Sequence, residues 1–121
     1  MISIDDFKKL EIRIGHIISA EKIADADKLL KLSVDFGLKP QSTSPDHSAK
    51  QNDLGERDIR QIISGIATFF PDPSLLVGKK CAFAANLEPR VIRGLESQGM
   101  ILAVNGDHDG KNFFSLLEKS K

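Results

Sequence analysis

The sequence predicts a small all-β fold, a five-stranded barrel with one short helix and additional strands at its C-terminal end. Short apolar or alternating runs recur along the chain, each bounded by Gly, Pro, Asn or Asp. A helix start, Asp72-Pro73, falls in the middle of these runs, with Asp72 as N-cap and Pro73 at the first helical position. No βαβ alternation and no internal repeat occurs, so nothing points to a parallel sheet. With 121 residues and 40% hydrophobic content, the chain is one domain spanning residues 1–121. A domain of this size buries roughly two-thirds of its unfolded surface.

The first element expected is a short helix over residues 3–9, with Ser3 as N-cap, Asp5 and Asp6 in the first turn and Phe7 facing inward. From Glu11 the pattern is extended. Ile12 and Ile14 alternate with Glu11 and Arg13, and Gly15 allows a bulge or sharp bend. Ala24-Asp25-Ala26-Asp27 is a turn. The clearest alternation follows, with Leu30, Leu32, Val34 and Phe36 on one face and Lys31, Ser33 and Asp35 on the other, ended by Gly37. Residues 38–58 are polar and contain Pro40, Pro45 and Gly55, which reads as a mobile insertion between two paired strands. Extended structure resumes over residues 59–66, and the central helix ends just before Gly78. Lys80 to Ala85 is a strand of small and apolar residues, Val91-Ile92 a short one, and Met100 to Val104 another. A turn-rich stretch over residues 105–110 leads to a last strand, Asn112 to Leu117. Six or seven strands with a helix in the middle suit an oligonucleotide-binding (OB) barrel.

Composition narrows the function. The chain carries 17 basic and 17 acidic residues, so a polyanion would have to be met by a local patch. Residues 79–94 supply one, with Lys79, Lys80, Arg90 and Arg93 against Glu88 alone. The single cysteine, Cys81, lies in an apolar run and reads as a buried, inert thiol, which suits a reducing cytoplasm. No apolar stretch approaches the roughly 20 residues needed to span a bilayer, and Asp5 and Asp6 stand where a signal peptide would be basic. A cytoplasmic protein with no membrane partner is expected.

The candidate site is the segment Asn86 to Met100. Pro89 removes a backbone donor, Gly94 and Gly99 permit unusual backbone angles, and Arg90 and Arg93 offer forks that match phosphate. Taken singly, these residues have ordinary readings too. Arg90 and Arg93 read equally as solvated charges, Ser97 as a cap or turn residue, Met100 as core, Asn86 as a turn former and Lys28 as an exposed lysine. Catalytic patterns are weak. His16, His47 and His108 neighbour no nucleophile in a known arrangement, and Asp107-His108-Asp109-Gly110 reads as a hairpin turn rather than a cation loop. A non-enzymatic chain with no cofactor or metal is expected. Stacking of single-stranded bases is disfavoured, since there is no Trp or Tyr and the seven Phe mostly pattern as core. Recognition of folded RNA by shape remains open.

Five blocks, in order, carry a family resemblance. They are Ile4-Asp5-Asp6-Phe7 with Ile12-Arg13-Ile14-Gly15; Ala26-Asp27-Lys28-Leu29-Leu30; Ile63-Ser64-Gly65-Ile66; Phe70-Pro71-Asp72-Pro73 with Leu76-Val77-Gly78-Lys79; and Ala85-Asn86-Leu87, Pro89-Arg90 and Ser97-Gln98-Gly99-Met100. The chain thereby resembles the tRNA-binding OB domain found as the C-terminal domain or β subunit of methionyl-tRNA synthetases. The same domain occurs as free-standing structure-specific tRNA-binding proteins and in the endothelial-monocyte-activating polypeptide II group. The resemblance implies binding of the tRNA elbow by shape, without an anticodon code. It also implies homodimerisation through the helix-bearing and C-terminal parts, and work beside a methionyl-tRNA synthetase or as part of one. Carried over by motif, Lys28, Asn86, Arg90, Ser97 and Met100 face the tRNA, and Arg93 joins them from the basic patch. Lys28 and Arg90 would meet phosphates, Asn86 and Ser97 sugar or base edges, and Met100 would give an adaptable apolar contact. The family's Pro-x-Ala-Asp-Lys-Leu is here Ala24-Asp25-Ala26-Asp27-Lys28-Leu29, and the 38–58 insertion is longer than the family's pattern. A related secretion-chaperone-like branch shares the barrel and dimer but lacks the Ala-Asp-Lys-Leu element. It supplies the alternative, a peptide-binding homodimer.

Overall fold

A computed structural model describes residues 1–38 and 56–120, so most of the expected mobile insertion lies outside the described residues. The order is α1 (Ile4–Lys8), β1 (Ile12–Ile23), β2 (Ala26–Leu38), β3 (Arg57–Ser64), two 3-10 turns (Ala67–Phe69 and Pro73–Leu76), β4 (Lys80–Ala84), β5 (Arg90–Ile92), β6 (Leu95–Ser97), β7 (Met100–Ile101), β8 (Ala103–His108) and β9 (Lys111–Leu116). One antiparallel sheet runs β3-β2-β1-β4-β7, while β5-β6 and β8-β9 form separate two-stranded ribbons. The fold is all-β and OB-like, a curled five-stranded sheet with little helix.

The β2 alternation is realised in full: Leu30, Leu32 and Val34 are completely buried and Phe36 nearly so. They meet Ile17, Ile62, Leu76 and Phe83 in the barrel interior, each side chain contributing roughly 1.5–3 kcal/mol of burial. On β1 the inward parity belongs to Arg13, Gly15 and Ile17, so Ile12 and Ile14 are exposed. Gly15 is required by space, not by a bend. A Cβ there would stand 2.5 Å from Val34 Cγ1 and 2.9 Å from Phe36 Cε1. The register of β1 against β2 shifts instead between Ile17 and Ser19, and again between Lys22 and Ile23.

The sheet curls until its far ends meet, and side chains make part of that seam. The Gln98 N–H donates to the Gln61 carbonyl (2.8 Å) and the Gln61 N–H to Gln98 Oε1 (3.1 Å). The Ile63 N–H donates to Ser97 Oγ (3.0 Å). The outer edge of β3 is thus satisfied by residues 97–98 without a regular ladder.

Several expectations need correction. Ser3 does cap α1, accepting from the Asp6 N–H, but Phe7 is half exposed because the five-residue helix lies outside the barrel. Of the seven Phe, Phe36 and Phe83 are buried, Phe70 and Phe114 are partly so, and Phe7, Phe69 and Phe113 are exposed. A barrel interior this small takes two rings, packed edge to face at 5.2 Å. The expected strand Met100 to Val104 breaks at Leu102, where the chain passes from the main sheet into the β8-β9 ribbon. The helix after Asp72 is one 3-10 turn with the expected cap, Asp72 accepting from the Ser74 N–H.

Candidate functional site

The Asn86–Met100 segment folds as an arm. Its β5 and β6 pair through Arg90↔Ser97, Val91↔Glu96 and Ile92↔Leu95. Arg93 and Gly94 make the two-residue turn, both at positive φ (54° and 79°), as the twist of a tight hairpin demands. Little in the sequence announces this hairpin, because three-residue strands show no periodicity and Arg-Gly lacks the usual Asn-Gly signature.

The arm brings some of the candidate residues together. Arg90, Ser97 and Met100 line one small cleft of about 50 Å³ against β3, with Leu87, Ile92 and Ile63. Met100 and Arg90 are exposed there. Arg93 stands at the exposed tip of the turn. Lys28 lies elsewhere, exposed near the start of β2 past the Leu30↔Ser64 pair, and does not line the cleft.

The polar groups of the other two candidates are engaged internally. Ser97 is buried; besides accepting from Ile63, its hydroxyl donates to the Gly99 carbonyl (2.9 Å). Asn86 Oδ1 accepts from the Glu11 N–H (2.8 Å), and its Nδ2 donates to the Lys9 carbonyl (2.6 Å). These two side chains hold the arm and the N-terminal segment in place. Sequence alone suggested neither role, because the partners are distant in the chain.

Charge pairing sharpens the electrostatics of a neutral chain. Lys9, Arg13, Lys31, Arg57, Arg60 and Lys79 pair with Asp6, Asp58, Glu21, Asp35, Asp58 and Glu118. Among the described residues, Lys28, Arg90 and Arg93 take no ion-pair partner, so their charges stay available to an outside anion. Lys79, by contrast, drops out of the expected basic patch by pairing with Glu118 at 3.2 Å.

Sequence reasoning missed the residues beside the arm. A groove of about 430 Å³ runs over the outer face of the sheet, its walls including Ser19, Lys31, Ser33, Gln61 and Gln98. In the sequence these are only the polar halves of strand alternations. It also missed a cluster at the open end of β2. The hydrogen bond from Arg60, reinforced by one from Arg13, holds the Asp58 carboxyl below the usual carboxylate range in spite of partial burial. Burial acts to raise Asp35, but the Arg57 hydrogen bond and the Gly37 N–H carry it below that range.

Among the described residues no cluster of His, Cys, Asp and Glu could hold a metal ion. Cys81 is fully buried, and burial, with Glu118 nearby, pushes its thiol up to about 11, which makes it inert as the sequence suggested.

Comparison with known proteins gives this geometry a context. A family model described as "Putative tRNA binding domain" matches residues 12–121. The chain is 40% identical over 110 residues to a methionine–tRNA ligase of Lactiplantibacillus plantarum, covering 91% of this chain and 13% of that protein. It is 47% identical over 108 residues to one of Methanosphaerula palustris, covering 89% and 13%. This chain thus spans about an eighth of the length of those relatives. Among solved structures, a MetRS related protein from Pyrococcus horikoshii superposes with a TM-score of 0.67 at 34% identity, covering 97% of this chain and 88% of that one. The chaperone CsaA of Bacillus anthracis superposes with a TM-score of 0.68 at 23% identity, covering 100% and 90%, which supports the fold alone. The match over residues 12–121 and the 34% identity across nearly the whole of a solved relative settle the family: this chain belongs to the tRNA-binding domains.

Proposed function

We propose that the chain is a non-catalytic, cytoplasmic module that binds tRNA by shape, acting beside a methionyl-tRNA synthetase or as part of one. The observation that carries this reading is the arm itself: Arg90 and Arg93, without ion-pair partners, project from a hairpin on the barrel surface in a chain of the tRNA-binding family. In this reading Arg90, Arg93 and Lys28 meet phosphates, and Met100 gives an apolar contact at the cleft mouth. Asn86 and Ser97 act by fixing the arm. Among the described residues no aromatic side chain lines the cleft of the arm, which fits recognition of a folded RNA surface.

The test is a titration of unfractionated tRNA at several salt concentrations. Binding in roughly the micromolar range at physiological salt is expected, with log affinity falling linearly in log salt. Salt-independent binding, or none, refutes the reading. Arg90→Ala should weaken binding and lower the slope by about one unit while leaving the melting temperature nearly unchanged.

We further propose a homodimer through the C-terminal ribbon. Phe69 and Phe114 stack at 3.9 Å, and with Phe113 they border an open hollow of about 750 Å³. Phe69 and Phe113 are each about half exposed, so the ribbon presents an open apolar surface that a second copy could cover. The same hollow favours a second reading, retention of unfolded peptide. Peptide binding that persists when tRNA binding is absent would support it.

A further inference from the structure

The two feet of the arm are held by one side chain that the tRNA reading does not use. Arg60 Nη1 donates to the Ala85 carbonyl at 2.6 Å, just before Asn86, and to the Gln98 carbonyl at 3.4 Å, just before Gly99. Its Nε and Nη2 grip the two oxygens of Asp58, each at 3.0 Å. Asp58 is shared with Arg13, whose Nη1 donates to it at 2.9 Å while its Nη2 donates to the Phe36 carbonyl at 2.8 Å. Both guanidinium groups lie over the Phe36 ring, 5.0 and 5.2 Å from its centroid. The three charged side chains are only 14–21% exposed.

This arrangement does not suit a phosphate contact. The Arg60 fork is committed inward to a carboxylate and two carbonyls, and its position is fixed by stacking on a buried ring. It does suit a clamp. A hairpin of two three-residue strands is not stable alone, so the direction in which it points is set by its feet. Ala85 and Gln98 are those feet, and a shared guanidinium fixes the gap between them.

We propose that Arg60, held by Asp58 and Arg13 against Phe36, is a positioning residue that sets the pose of the arm carrying Arg90 and Arg93, and so sets tRNA affinity without touching RNA. The effect on affinity rests on the tRNA reading above; the effect on the arm does not.

The experiment compares Arg60→Lys and Asp58→Asn with the unaltered chain. Lysine keeps the charge but cannot hold a carboxylate bidentately and bridge two carbonyls. Without RNA, hydrogen exchange at arm amides 86–99 should quicken about tenfold in both variants, the equivalent of one lost charge-assisted hydrogen bond, over and above any fall in global stability read from the β2 amides. With tRNA, both should bind roughly five- to tenfold more weakly at an unchanged salt slope, as expected for lost preorganisation. Full rescue of affinity by lysine overturns the proposal, as does unchanged arm exchange, or exchange that quickens equally in β2. If the unaltered chain binds no tRNA, the tRNA reading fails, while the exchange measurement still decides the clamp.

Discussion

Replacing Ser97 by alanine separates an RNA contact from a structural pin. The hydroxyl accepts from the Ile63 N–H at 3.0 Å and donates to the Gly99 carbonyl at 2.9 Å, and the residue is 4% exposed. Alanine keeps the backbone and most of the volume, so the loss is almost wholly that of the two hydrogen bonds. A buried N–H left without an acceptor costs about 1–3 kcal/mol, and the second, only part-buried bond adds little to that. A destabilisation of about 1–3 kcal/mol follows, and for a chain of this length each kcal/mol lowers the melting temperature by about 4 °C. Thermal melts followed by circular dichroism should therefore show a drop of about 4–12 °C. Binding of tRNA, measured well below the transition, should weaken by no more than a few-fold, through a looser arm. A melting point moved by less than about 1 °C together with a tenfold loss of tRNA affinity would refute this reasoning and place the hydroxyl against the RNA.

Further outcomes are expected. Gly15→Ala forces a methyl into the contact with Val34 and two aromatic rings and should destabilise the barrel by about 1–3 kcal/mol, checked by urea denaturation. Asp58→Asn should be less stable than the unaltered chain at pH 7. The folded Asp58 binds its proton less readily than the unfolded one, so its contribution is present above the ordinary carboxylate value and is lost as pH falls below about 4. The gap in melting temperature should then narrow as pH falls below about 4 toward the lowered folded value, and a gap that does not narrow there would trace to packing instead. Phe113→Glu, on the exposed face of β9, should shift sedimentation from dimer to monomer with little change in melting of the barrel. An unchanged dimer would remove the C-terminal ribbon from the interface.

The barrel was legible wherever one face of a strand was buried and the other wet. The β2 run Leu30, Leu32, Val34 and Phe36 shows this, as does the Asp72-Pro73 cap. Reading failed where side-chain chemistry overrode polarity. Arg13 and Arg60 take inward positions because Asp58 and the Phe36 ring give their charges a partner, and no local pattern announces that. It failed again on the aromatics, since Phe69, Phe113 and Phe114 gather outside an interior already filled by Phe36 and Phe83. Of the candidate site, the segment and its arginines were visible as an unusual cluster of residue types. The duties of Asn86 and Ser97 were not, because their partners Lys9, Glu11 and Ile63 lie 34 to 77 residues away.

The side-chain seam on β3 also governs what the barrel refuses. A terminal strand of a sheet normally offers a row of open N–H and C=O groups on which another extended chain can add itself. Here the Gln61 and Ile63 positions of that row are already filled by Ser97 and Gln98. A stray peptide, or a second molecule in a slipped register, would have to displace the foot of the arm before it could pair there. For a chain of zero formal net charge, which lacks the mutual repulsion that keeps many proteins apart, an edge closed at these two positions works against fibre-like association.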